Sequence, residues 1–212
     1  MGSRNQRGAI GIGAMIIFIA MVLVAGIAAY IILSTGSQLQ MKSGATGEQT
    51  IKEVSSGLKI STIEAHNTSG SIDKVVITIS PRSGSPNIPL NQAIVELSNP
   101  DTKCVLTYSS TYWVDGTSGV SNLFRTNAFS PDSSKFGLIV IEDDDRSCTQ
   151  NFPVLNSDDS VMIALNTTAV FGGISENVYI QGNVIPEEGA WGIILFRTPS
   201  VFSQEVFLLQ EG

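Results

Sequence analysis

Residues 9–33 read AIGIGAMIIFIAMVLVAGIAAYIIL, and this stretch decides the architecture of the chain. It contains no charged side chain, and the charge-free region continues as far as Met41. A helix of about 25 residues extends roughly 37 Å, more than the ~30 Å of hydrocarbon in a bilayer. The stretch therefore predicts a hydrophobic helix that is long enough to cross a membrane.

A short basic segment, MGSRNQRG, precedes this helix and carries Arg4 and Arg7. By the positive-inside rule, such a segment stays on the inner side of a membrane while the rest of the chain is exported. A signal-anchor helix is the favoured interpretation. A secretory signal peptide fits less well, because the apolar run is too long and no A-x-A-type site follows it. A buried core helix is disfavoured by the length without charge.

Beyond Leu33, small and apolar residues continue at a spacing near 3.6 as far as Leu58, which favours a longer helix. Gly36, Gly44 and Gly47 weaken this interpretation. A flexible Ser/Gly linker over residues 34–50 is the alternative.

From Leu58 onward the apolar residues alternate with a period of two, which is typical of strands. Turn-forming clusters separate the strand-like runs and predict an antiparallel sandwich or barrel. The first run begins at Leu58, and the others cover residues 74–80, 93–98, 103–110, 136–142, 160–167, 177–186, 190–198 and 206–210.

The chain has 212 residues, and its net charge of −7 argues against nucleic acid as a partner.

Few residues offer chemistry. His66 is the sole histidine and has no nucleophile motif near it, so no catalytic residue and no enzyme activity are predicted. The acidic run at residues 142–145 is interpreted as a solvated loop rather than a metal site. Binding of Ca²⁺ by Asp143 and Asp145 is the less favoured interpretation of this run. No other cofactor is expected.

Two covalent modifications, a disulfide and N-glycosylation, are expected only if the chain is exported. Cys104 and Cys148 are the only cysteines, and an exported chain favours a disulfide between them, with two free thiols as the alternative. Sequons for N-glycosylation start at Asn67 and Asn166. Asn67 is the better candidate because it lies in a turn-like segment, whereas Asn166 ends a strand.

Motifs at both ends give the chain a resemblance to archaeal flagellins (archaellins), which are type IV pilin-like subunits. At the start, the basic leader ends in Arg7-Gly8 and is followed by AIGIG at residues 9–13. Near the end, GNVIPE at residues 182–187, GAWG at 189–192 and FRTP at 196–199 also look like the family. The middle of the chain carries no such motif.

The resemblance implies an α+β chain in which a long N-terminal hydrophobic helix precedes an antiparallel Ig-like β-sandwich or barrel. It also implies a leader at residues 1–8, a helix at 9–57 and an outer domain at 58–212. A prepilin-peptidase-like protease would cut between Gly8 and Ala9. The helix would first span the membrane and then form the filament core. The residues expected to pack there are Gly11, Gly13, Ile17, Phe18, Met21, Val24, Gly26, Ile27, Tyr30 and Leu33.

The expected function is that of a structural subunit of the extracellular archaeal flagellar filament used for swimming. The implied partners are copies of the chain, paralogous flagellins, the processing enzyme, the membrane before assembly, and the assembly and motor complex. N-linked glycans are expected on the outer surface. The alternatives are an adhesive type IV-like pilin and a membrane-anchored extracytoplasmic binding domain.

Overall fold

The charge-free stretch forms part of one continuous helix. A computed structural model describes the backbone of residues 3–211, and the side chains of residues 10–51 and 54–211. Helix α1 spans Ser3–Ser55, and its 53 residues extend about 80 Å. No proline occurs before Pro81, so nothing interrupts the helical hydrogen bonds. The expectation of a long helix is confirmed, and the alternative of a flexible linker over residues 34–50 is wrong.

The chain divides into two compact units between Thr50 and Ile51. The second unit, Ile51–Gly212, is called the β-domain below. A short helix α2 (Thr167–Phe171) lies between β8 and β9. The strands are β1 (Leu58–Thr68), β2 (Ser71–Pro81), β3 (Ile88–Pro89), β4 (Ile94–Ser98), β5 (Lys103–Asp115), β6 (Lys135–Glu142), β7 (Val154–Leu155), β8 (Ser160–Asn166), β9 (Tyr179–Ile185), β10 (Gly192–Arg197) and β11 (Val206–Glu211).

Nine of these strands form one sheet in the order β10-β9-β4-β5-β6-β8-β2-β1-β11. They correspond to the nine strand-like runs of the sequence. The predicted antiparallel arrangement is confirmed for every neighbouring pair except β5 and β6, which are parallel. The two outer strands are joined by a side chain, since the Gln210 amide donates to the carbonyl of Ile193 and accepts from the N–H of Leu195. The sheet is therefore nearly closed, which is the barrel-like form of the predicted architecture.

The interior of the sheet holds the hydrophobic core. Alternate residues of each strand point inward, and the largest fully buried side chains include Phe136, Leu106 and Ile77. Strand β6 is buried over most of its length because both of its faces are covered. Phe136 and Leu138 belong to the main core, and Ile139 packs with Ala128 and Ala164 in a second cluster. Burial of this kind contributes about 1.5–3 kcal/mol for each large apolar side chain, which accounts for the cohesion of the β-domain.

The end of α1 enters the β-domain beside the GAWG motif. Ala190 donates to the carbonyl of Ser56 and accepts from the N–H of Leu58, at 2.9 and 3.1 Å. Gly57 lies so close that an added Cβ would meet the Cβ of Ala190 at 2.9 Å. Gly189 has a φ of +95° and lies against Ser56. The motif thus provides the space and the backbone conformation with which the chain passes from helix to sheet.

We expect Gly189→Ala to destabilise the β-domain more than Gly119→Ala. Both glycines have a positive φ, +95° and +91°, so either substitution costs about 1–2 kcal/mol for a left-handed conformation. Only at Gly189 would the new Cβ meet backbone, at 2.6 Å from the carbonyl of Ser56, which adds roughly 1–3 kcal/mol. Denaturant unfolding of the full chain in detergent measures the difference. Equal losses in the two variants would contradict the close approach.

Candidate functional site

The apolar surface of α1 is the first candidate site. Between residues 10 and 51 no described side chain is buried, and only Gly13 and Ser34 are partly covered. The helix is long and apolar enough to cross a membrane by length and composition. The large side chains expected to pack in a filament are between 61% and 73% exposed, and they are Ile17, Phe18, Met21, Val24, Ile27, Tyr30 and Leu33.

No contact within a single chain explains the glycines at positions 11, 13 and 26 of α1. An added Cβ at Gly11, Gly13 or Gly26 would meet nothing within 4 Å. Glycine in a helix interior costs roughly 1 kcal/mol relative to alanine, so these positions weaken the helix without any contact in return. Small residues do serve where another helix approaches closely in an apolar setting.

The predicted cleavage site lies at the start of α1. Gly8 and Ala9 belong to its helical backbone. Met1 and Gly2 of the predicted leader lie outside the described residues.

The acidic run after β6 folds into a compact loop that binds its own backbone. The two carboxylate oxygens of Asp143 accept from the N–H groups of Ser147 and Cys148, each at 3.0 Å. Asp145 accepts from the N–H of Ser147 at 3.0 Å and from the Nδ2 of Asn156 at 2.8 Å. The hydroxyl of Ser147 lowers the pKa of Asp145 by hydrogen bonding to it. The loop is therefore held by hydrogen bonds to its own backbone, while Asp144 and Asp145 are exposed to solvent.

A third carboxylate, that of Asp159, joins Asp143 and Asp145. One oxygen from each of the three residues lies within 4.8 Å of the other two. Asp159 is 2% exposed, and its Oδ2 accepts from the N–H of Asn156 at 2.8 Å, whereas its Oδ1 is buried without a partner. Burial raises the pKa of Asp159, and the neighbouring acids add to that shift. Among the described residues this is the acidic group best suited to a cation.

Sequence reasoning missed Asp159, because strand pairing brings it to the loop. Strands β6 and β8 are antiparallel and Glu142 pairs with Ser160, so the residue before β8 meets the residue after β6. The signal was present as Asp158 and Asp159 directly before a strand-like run, but the sequence does not say which strands are neighbours.

The structure has Cys104 and Cys148 as free thiols and not as the predicted disulfide. Cys104 lies at the start of β5, whereas Cys148 follows the end of β6, and these two strands are parallel. The two thiols contact different carbonyls, since Cys104 donates to that of Val170. Cys148 donates to the carbonyl of Val154, and burial beside the three carboxylates raises its pKa to about 12. It stays protonated at neutral pH, so it is neither a nucleophile nor a thiolate ligand.

The two sequons differ in the way their amides are used. Asn67 lies in β1, where its Nδ2 donates to the carbonyl of Gln204 at 3.4 Å and its Oδ1 is buried without a partner. Asn166 caps helix α2, and its Oδ1 accepts from the N–H of Ala169 at 3.1 Å. No described residue accepts a hydrogen bond from the Nδ2 of Asn166. Asn67 thus lies in a strand and not in the expected turn-like segment, and glycosylation at either sequon stays a prediction.

His66 is part of a structural connection. Its Nδ1 lies 2.6 Å from Asp73 and its Nε2 lies 3.3 Å from Glu205, so it joins β1, β2 and the segment before β11. Its ring also lies 5.1 Å from that of Phe124. The Thr68 hydroxyl lies 3.4 Å from the same Nδ1 that Asp73 contacts. A catalytic triad places the acid and the nucleophile on opposite nitrogens of the ring, so this arrangement is not a triad.

Comparisons with known proteins agree with this combination of an exposed apolar helix and a nearly closed sheet. A family model described as archaeal-type flagellin matches residues 8–196. The chain belongs to the archaeal-type flagellin family. It is 42% identical to Flagellin B3 of Methanocaldococcus jannaschii, over 98% of this chain and 97% of the relative. It is 40% identical to Flagellin B4 of Pyrococcus abyssi, over 97% of this chain and all of the relative.

Solved structures of flagellins have the same fold. The crystal structure of the flagellin FlaB1 of M. jannaschii matches with a TM-score of 0.66 and 31% identity, over 74% of this chain and 98% of that one. The subunit of the archaeal flagellum of Methanospirillum hungatei matches in fold with a TM-score of 0.65, over 93% of this chain and 98% of that one, at 16% identity. The chain is thus a structural subunit of the extracellular archaeal flagellar filament, which assembles from flagellins, and it is not an enzyme.

Proposed function

We propose that this flagellin polymerises through α1, after a period in the membrane, to form the core of a filament used for swimming. The observation that carries the proposal is the exposed apolar surface of α1, which covers residues 10–33 on all sides. In lipid, such a helix is stable because its backbone hydrogen bonds are satisfied internally. In a filament, other copies of α1 would cover the same surface, and its glycines would permit their close approach.

Removal of the leader is a further part of the proposal, and it rests on the likeness of the first residues to those of flagellins. Arg4 and Arg7 hold the start of the chain on the inner side of the membrane. Cleavage between Gly8 and Ala9 by a prepilin-peptidase-like protease would remove both arginines and change the net charge from −7 to −9. The mature helix would then begin with the charge-free stretch and could leave the membrane during assembly. The assembly and motor complex would act on this mature form.

We also propose that Asp143, Asp145 and Asp159 bind Ca²⁺ and thereby hold the loop after β6. Calcium takes oxygen ligands at 2.3–2.6 Å, and oxygens within 4.8 Å of one another can share one ion. The buried, unpartnered Oδ1 of Asp159 favours this proposal, since an unpaired buried carboxylate is costly. Bound calcium would stabilise the outer domain rather than perform chemistry.

N-linked glycans on the outer surface are a further part of the proposal. Asn166 borders an open cleft of about 520 Å³, also lined by Lys74, Tyr112 and Phe129, which leaves space for a sugar. At Asn67 the amide nitrogen already donates to Gln204, so occupancy there requires that contact to rearrange.

Mass spectrometry of purified filaments is expected to find Ala9 at the N-terminus. Replacing Gly8 with valine should leave uncleaved precursor in the membrane, because a bulky side chain would occupy the position before the cut. The same spectra would report sugars on Asn166 or Asn67. A mature chain that starts at Met1 or Gly2, or normal filaments from Gly8→Val, would contradict the processing.

We expect Gly26→Leu to abolish filaments and swimming while leaving the chain in the membrane. Leucine favours the helix and lipid more than glycine does, so the single chain gains stability. The matched control is Gly36→Leu, the same change at an equally open glycine of α1 outside residues 9–33. Loss of about 1.4 kcal/mol at each helix contact corresponds to a tenfold weaker association. Electron microscopy and swimming assays measure the outcome, and normal filaments from Gly26→Leu would refute close packing at this glycine.

Calcium is expected to raise the unfolding free energy of the wild-type chain, by about 2.7 kcal/mol at one hundred times its dissociation constant. Asp159→Asn should remove this response, whereas Asp144→Asn, a change in the exposed neighbour outside the cluster, should keep it. Without calcium, in EDTA, the raised pKa of Asp159 favours the protonated form in the folded chain. The unfolding free energy that this contributes is present at low pH and is lost as the pH rises through that pKa. Unfolding in detergent with calcium or EDTA tests both. An unchanged calcium response in Asp159→Asn would contradict the site.

A further inference from the structure

The outer face of the β-domain carries one concentrated apolar surface, at the seam between β10 and β11. It consists of Trp191, Ile193, Leu195, Val206 and Leu208, which we call the seam patch. These side chains are between 41% and 65% exposed. Ile193 and Leu195 alternate with the buried residues of β10, and Val206 and Leu208 flank the buried Phe207 of β11. The amide of Gln210 connects the two strands, so the five side chains belong to one surface.

The seam patch contrasts with the strand beside it. In the pairing of β10 with β9, Ile193 is opposite Asn183 and Leu195 is opposite Gln181. Polar residues therefore border the apolar side chains on that side, which is the usual composition of an interface rim. Edge strands are normally protected by charges, and a contiguous apolar patch at such an edge marks an interaction surface.

The β-domain is acidic, and acidic side chains lie beside the seam patch. Residues 51–212 contain 9 basic and 18 acidic side chains, a net charge of −9. Glu64 of β1 is opposite Leu208, and Glu205 directly precedes Val206. Arg197 lies at the end of β10. The apolar side chains, and not the charge, are therefore what favours a contact here.

The position of the seam patch points to a second copy of the chain as its occupant. The patch begins at Trp191, directly after Ala190, which is hydrogen-bonded to Ser56 and Leu58 where α1 enters the β-domain. Copies whose α1 helices pack together bring this entry region of each β-domain close to its neighbours. An open helical polymer requires head-to-tail contacts between different surfaces, so the patch would meet another surface of the next copy.

We propose that the seam patch is the surface of the β-domain on which a second copy of this chain packs in the filament. The proposal rests on the proposed polymerisation through α1 and adds a second contact outside the core. Contacts between β-domains would then stabilise the polymer in addition to the contacts between α1 helices.

A photo-crosslinking amino acid at position 195, in filaments of the full chain, tests the contact directly. The matched control is position 105, because Val105 and Leu195 are 49% and 48% exposed and both lie in the same sheet. We expect adducts of dimer size from position 195, with peptides that map to another copy of the chain, at roughly ten times the yield from position 105. Equal yields, or adducts with a different protein, would overturn the proposal.

A substitution test separates this proposal from polymerisation through α1. The double variant Leu195→Glu with Leu208→Glu is expected to reduce filaments per cell by at least roughly tenfold, and Val105→Glu to leave them unchanged. Unfolding of each full chain in detergent confirms that the β-domain is folded. Normal filaments from the folded double variant, together with their loss in Gly26→Leu, would overturn only the seam contact. Normal filaments from both would overturn the α1 core as well.

Discussion

The exposed apolar surface of α1 is the constraint on which the rest of the molecule depends. A charge-free segment of this length cannot remain in water, because each large side chain that stays exposed forgoes about 1.5–3 kcal/mol of burial. Nothing in its own chain covers the described residues of α1 between 10 and 51. The helix must therefore be surrounded by lipid or by other helices, and membership of the flagellin family makes a filament its final environment. Glycines that weaken the single helix fit this need for neighbours.

The β-domain solves the opposite problem, since it must be soluble wherever the filament meets water. Its net charge of −9 provides that solubility, and its apolar residues are mostly enclosed by the sheet. The same charge repels neighbouring domains, however, and a filament holds them close. The apolar side chains at the seam between β10 and β11 offer a surface whose burial would offset that repulsion. At the loop after β6 the negative charge is concentrated instead, and a bound cation would neutralise part of it.

Local patterns in the sequence predicted the helix and all nine strands of the main sheet, because periods of 3.6 and two residues directly report which face is apolar. Contacts between distant strands could not be read in this way. Asp159 reaches Asp143 only through the pairing of Glu142 with Ser160. The parallel pairing of β5 with β6 was likewise not part of the antiparallel expectation.

The tail motif shows how a local pattern can have a long-range cause. In GAWG, Gly189 and Ala190 have their partners at Ser56 and Leu58, more than a hundred residues earlier in the chain. The motif closes the β-domain at the residues where α1 enters it, and Trp191 then begins the outward row of the seam patch. A strong clash at Gly189 would therefore disturb both the exit of the helix and the start of β10. The transition from helix to sheet therefore depends on the positive φ of Gly189, which only glycine adopts readily.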